Sequence, residues 1–150
     1  MPEIETEIES STEIRDVLSR ARTIAVLGAH HQPSRPAFYV PDYLHSQGYR
    51  VIPVNPTLVG TTLWGEPVRA TLAEIAEPID LVDVFRLAEL LPGHLADLLA
   101  MKPLPRVVWL QLGIRNDAFA RSLLAAGIDV VQDRCTLADH RAFGLGAVPR

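Results

Sequence analysis

The chain has 150 residues, 48% of them hydrophobic and 21% charged, with a formal net charge of −4 at pH 7. That length and balance suit one globular domain with its own core and exclude a disordered chain. The acidic charge argues against a nucleic-acid partner, which usually meets a basic face; the one cysteine, Cys135, excludes an internal disulfide; and no apolar run approaches a membrane span.

Met1 to about Ser10 reads as a frayed acidic lead. It lacks the basic-then-apolar pattern of a secretory signal, and with a lone cysteine the expectation is a cytoplasmic protein. Ser11 or Thr12 is placed to cap a helix through Ile14, Val17, Leu18 and Ala21. Thr23 to Leu27 is a β-branched, apolar run that stops at Gly28 and predicts a first strand. A loop rich in Gly, Pro, Ser and His follows. Phe38 to Gln47 carries apolar residues at Phe38, Val40, Tyr43 and Leu44, and Gly48 is a helix stop. Val51, Ile52 and Val54 form a second strand, which completes a βαβ unit.

Asn55-Pro56 is a turn signal. Thr57 to Pro67 reads as an irregular loop anchored by Leu63 and Trp64, and Val68 as a short edge strand. Thr71 is expected to cap a short helix over Leu72 to Ile75, with Glu74 as its capping-box partner. Ile79 to Phe85 is a strand with two aspartates, Asp80 and Asp83, of which one or both are expected near its edge. Leu87 to Met101 is expected to be helical, with Pro92 in its first turn or kinking it. Arg106 to Leu112 is a strand, Arg115 to Ala126 a helix ended by Gly127, and Ile128 to Val131 the last strand. The tail from Asp133 ends in a loose glycine-rich segment. Five continuous Val/Ile/Leu strands alternating with helices predict an α/β fold: a doubly wound, mainly parallel Rossmann-like sheet with helices on both faces.

Such a fold places the loop after Gly28 and a helix N-terminus at the carboxyl edge of the sheet, where backbone N–H groups attract phosphate. A nucleotide-containing ligand is therefore expected. The loop is neither Gly-x-Gly-x-x-Gly nor a P-loop. The end of the second strand holds Asn55-Pro56 where an NAD site wants an acid, so an ordinary dinucleotide site is disfavoured. A sharp turn with no ligand is the bland alternative. His30 and His31 have no partners at metal-ligand spacing, so no metal site is expected. Cys135 has Asp133 and His140 near it in sequence but reads as a packed or redox-sensitive thiol in preference to a nucleophile.

Several ordered motifs then carry a resemblance: Gly28-Ala29, Pro33, Arg35-Pro36, Gly48 to Pro56, Gly65 to Val68, Asp80 to Arg86, Val108 to Gly113 and Asp133-Arg134-Cys135. Over Thr23 to His140 the chain resembles the small stand-alone CoA-binding proteins, which are similar to the CoA-binding domain of the succinyl-CoA synthetase α subunit. The resemblance implies that residues 23–140 form a Rossmann-like CoA-binding domain, preceded by a lead and helix at 1–22 and followed by a loose tail at 141–150. It implies coenzyme A lying across the carboxyl ends of the strands, with the pyrophosphate at Gly28, Ala29, His30, His31, Gln32, Arg35 and Pro36. Asn55 and Pro56 would border the adenosine half, and Phe85, Arg86, Gln111, Leu112 and Gly113 the remainder. Where the family commonly has Ser, Lys and Ser, this chain has His30, Gln32 and Ala37. The expected function is binding of coenzyme A or an acyl-CoA with no reaction of its own. The alternatives are a small CoA- or nucleotide-dependent enzyme using Cys135 or a histidine, and an interaction module of this fold that has lost its ligand.

Overall fold

The computed structural model describes residues 7–148. Five parallel strands, β1 (Thr23–Leu27), β2 (Arg50–Val54), β5 (Leu81–Val84), β6 (Val107–Leu110) and β7 (Asp129–Val131), form one sheet in the order β2-β1-β5-β6-β7. The helices are α1 (Ser11–Arg20), α2 (Pro36–Ser46), α3 (Leu95–Leu99), α4 (Asp117–Ala125) and α5 (Thr136–Ala142). Successive strand residues point to opposite faces, and both faces are apolar because helices cover both. One layer joins Ala25, Leu27, Ile52, Val82, Val84 and Val108 to α3 and α4. The other joins Ile24, Val26, Val51, Leu81 and Trp109 to α1, to Leu44 of α2 and to Phe143 at the C-cap of α5. Each fully buried Ile, Leu or Val contributes roughly 1.5–3 kcal/mol.

The strand order has a physical consequence. From β1 the chain crosses to β2 on one side, and the later strands build outward on the other. The crossover direction therefore reverses between β1 and β5, and a crevice opens there beyond the carboxyl ends of the strands.

Several elements differ from the sequence reading. Ser10, not Ser11 or Thr12, caps α1 through its side chain. Glu7 to Ser10 is packed, not frayed: the Ile8 N–H donates to the Val130 carbonyl at 2.7 Å. The earlier part of the acidic lead lies outside the described residues. The expected irregular loop contains an antiparallel hairpin, β3 (Thr62–Leu63) with β4 (Glu66–Pro67), turning through Trp64 and Gly65 at φ 53° and 76°. Val68 starts no strand; a single bridge, Arg69 to Val54, takes its place. Leu72 to Ile75 is not a helix. The Asp97 carboxylate accepts from the N–H groups of Leu72 and Ala73, at 2.8 and 2.9 Å, and ties this segment to α3. Leu87 to Met101 splits into a 3-10 segment, Ala88–His94, and the short α3. Pro92 lies inside the 3-10 segment and lacks the N–H that an α-helix would use there. As far as Val148 the tail is not loose, and Pro149 and Arg150 lie outside the described residues. The tail carries α5, and Val148 is buried with its N–H donating to the Gln47 carbonyl at 2.6 Å.

Candidate functional site

Gly28 ends β1 with φ 86°. A side chain here would put its Cβ 2.6 Å from the Phe85 carbonyl oxygen, so the close neighbour that requires glycine is the backbone at the end of β5. The Gly28 and Ala29 N–H groups both donate to the Val54 carbonyl, and Asn55 Nδ2 donates to the Ala29 carbonyl at 2.9 Å. Asn55 Oδ1 accepts from the N–H and hydroxyl of Thr57. The first and second strand ends are thus tied together, and Asn55 spends its side chain as a brace.

The loop continues with the His30 N–H donating to the Ala37 carbonyl and His30 Nδ1 accepting from the Gln32 N–H at 3.0 Å. The His30 and His31 rings stack at 4.9 Å, 8° from parallel. Partial burial first, then the neighbouring His31 and Arg35, hold His30 below the ordinary imidazole value, so it adds no fixed charge at neutral pH. Arg35 stands at the N-cap of α2 and Pro36 at its first position. Among the described residues the Arg35 guanidinium has no hydrogen-bond partner.

A cleft of about 550 Å3 occupies the crevice at the switch point. Of the residues singled out in the sequence, Gly28, His30, Arg35, Pro36, Asn55, Phe85, Arg86, Gln111 and Leu112 line it. Ala29, His31, Gln32, Pro56 and Gly113 do not. Ala29 is fully buried. His31, Gln32 and Pro56 face solvent, and the Gly113 N–H is held by Asp133 Oδ1 at 2.6 Å. Tyr39, Leu87, Leu90, Ile114 and Cys135 also line the cleft and were not assigned to it from the sequence. Leu87 and Leu90 lie just after the end of β5, and that position is the signal that could have included them.

The charge in the cleft is one-sided. Arg35 and Arg86 line it, and among the described residues no carboxylate does. Arg86 is oriented from behind, its Nε donating to His94 Nε2 at 3.2 Å. His94 must accept through that nitrogen, and burial followed by the charge of Arg86 pushes its pKa down, so it stays neutral. The two terminal nitrogens of Arg86 have no partner among the described residues and are available to an anion.

Beneath the cleft lies a polar triangle. Gln111 Nε2 donates to Asp83 Oδ1 at 2.5 Å and to Thr136 Oγ1 at 2.9 Å, and the Thr136 hydroxyl donates to Asp83 Oδ2 at 3.0 Å. Of the two aspartates expected near the strand edge, one or both, it is Asp80 that sits there, just before β5, holding the N–H groups of Arg22 and Thr23, and Asp83 is completely buried. Burial pushes the Asp83 carboxyl up to about 7, opposed by the bonds from Gln111 and Thr136.

The Cys135 thiol has no hydrogen-bond partner among the described residues. The groups near it in sequence are engaged elsewhere: Asp133 with Gly113, and His140 Nδ1 with the Tyr43 hydroxyl at 2.7 Å. No group of three or more His, Cys, Asp or Glu that could hold a metal ion occurs among the described residues. Nor is any described helix long and apolar enough to cross a membrane.

Comparison with known proteins places the chain in a family. Over 131 residues the chain is 36% identical to the uncharacterized protein YneT of Bacillus subtilis, spanning 87% of this chain and 94% of that one. A solved structure from Thermus thermophilus is 51% identical, with a TM-score of 0.84 over 89% of this chain and 98% of its own. A protein from Pyrococcus horikoshii is 29% identical, with a TM-score of 0.81 over 95% and 98% of the two chains. The family model described as a CoA binding domain matches residues 22–141, so the chain belongs to the CoA-binding domain family.

Proposed function

We propose that the chain binds coenzyme A or an acyl-CoA in this cleft and performs no chemistry on it. The observation that carries the reading is a cleft at the switch point holding Arg35 and Arg86 and, among the described residues, no carboxylate. Such a site favours an anion, and membership of the CoA-binding domain family says which anion to expect. Arg35 and the Gly28 to Pro36 loop would take the pyrophosphate, with Arg86 as a second phosphate donor. Leu87, Leu90 and Leu112 are 62%, 42% and 70% exposed, a surface that an uncharged arm or acyl chain would cover. Asn55 replaces the acid that would hold an NAD ribose and is already committed to Ala29 and Thr57. The reading as a binder rests on the lack of a base at Cys135. A reducing compartment such as the cytoplasm suits that thiol.

Calorimetry with coenzyme A and with NAD tests the assignment. Coenzyme A should bind more tightly. Equal or tighter binding of NAD would remove the coenzyme A reading.

A further inference from the structure

Among the described residues Asp83 has no cationic partner, and its polar partners are Gln111 and Thr136. Burying an ionisable group without a counter-ion is unfavourable, and an apolar residue of similar size would serve packing better. What Asp83 does provide is direction. When ionised, its carboxylate only accepts hydrogen bonds. It takes one from Gln111 on Oδ1 and one from Thr136 on Oδ2, and this forces the Gln111 amide nitrogen inward. The same nitrogen also meets the Thr136 oxygen, so both of its hydrogens are used. Gln111 is only 4% exposed, yet it lines the cleft, and its Oε1 has no partner among the described residues. The end of the side chain left for the cleft is therefore an acceptor.

We propose that Asp83 is a positioning residue that locks the Gln111 carboxamide with its oxygen toward the cleft, so that the site reads a hydrogen-bond donor on its ligand, namely an amide N–H of an extended pantetheine-type arm. The choice of arm rests on the coenzyme A reading; the lock on Gln111 does not. Aspartate matters because its near-isostere releases the lock. With Asn at 83, the triangle is satisfied with Gln111 facing either way, since Asn offers both a donor and an acceptor. Packing is kept and orientation is lost.

Two measurements test this. The first uses the ligand-free, 15N-labelled protein at pH 8. In wild type the Gln111 side-chain NH2 should exchange slowly with water and show a nuclear Overhauser contact to Thr136. In Asp83→Asn the contact should weaken and exchange quicken, while the backbone spectrum stays folded. An unchanged Gln111 signal in Asp83→Asn would overturn the role of Asp83. The second compares coenzyme A with adenosine 3′,5′-bisphosphate, which lacks the arm. Gln111→Met should weaken coenzyme A about two- to tenfold and leave the bisphosphate unchanged. Equal loss for both compounds, or loss for neither, would overturn the donor reading. If wild type binds neither compound, the coenzyme A assignment itself fails, and the amide spectrum still decides on Asp83.

Discussion

Replacing Asp83 by Asn should change the stability of this protein in a pH-dependent way. The unfolded carboxyl titrates near 3.8 and the folded one near 7, because burial disfavours its charged form. Its folded pKa is raised, so the folded state binds the proton more tightly than the unfolded state. Between those values folding takes up a proton, and stability falls as pH rises. Below about pH 4 the group contributes no penalty; above about pH 7 the penalty is complete. Asn mimics the neutral acid at every pH and has no such dependence. Wild type should therefore lose on the order of 4 kcal/mol relative to Asp83→Asn between pH 4 and pH 8. Urea denaturation followed by tryptophan fluorescence reads this, since Trp109 is fully buried in the sheet. Other titrating groups are common to both proteins and cancel in the difference. If the difference between the two proteins is the same at pH 4.5 and at pH 8, Asp83 does not titrate near neutrality in the folded chain and the account of its burial is wrong.

Gly28→Ala should lower the melting temperature by destabilising the fold about 2 kcal/mol or more, because the new Cβ meets the Phe85 carbonyl and the backbone is left-handed; a wild-type melt would refute the clash. Arg35→Ala should weaken coenzyme A about ten- to a hundredfold, less at high salt, and dephospho-CoA run alongside tells which phosphate is involved; unchanged affinity for both at every salt concentration removes Arg35 from the site. Burial lowers the pKa of His140, partly offset by the Gly146 backbone. Its contribution is therefore present above pH 6.5 and lost as pH falls, and His140→Gln should flatten this acid limb in a urea series. Cys135→Ser should keep its affinity for coenzyme A, and a thioesterase or acyltransferase rate abolished by that change would make the protein an enzyme.

Much of this molecule was legible from local chemistry. The strand Thr23–Leu27 has the predicted bounds, and each of the other main strands overlaps a predicted apolar run, because a strand covered on both faces must be mostly apolar. The family resemblance named Gly28, Arg35, Asn55, Arg86 and Gln111, and all five line the cleft; all but Arg35, which caps α2, lie just after strand ends, and parallel strands deliver their carboxyl ends to one edge. Where tertiary partners replaced local bonds, sequence reading failed. Asp97 holds the N–H groups of Leu72 and Ala73 across 24–25 residues of chain, in a segment that is not the helix expected there. Val148 docked the tail that glycine content suggested was loose. The support beneath the site was hidden for the same reason. Asp83, Gln111 and Thr136 are separated by 25 to 53 residues and meet only when β5, β6 and α5 are packed together. Composition and periodicity determine which residues are buried and which strand ends reach the cleft edge. Which buried polar group pairs with which, and so which atom of Gln111 is left for a ligand, is a property of three elements in contact and has no local signature.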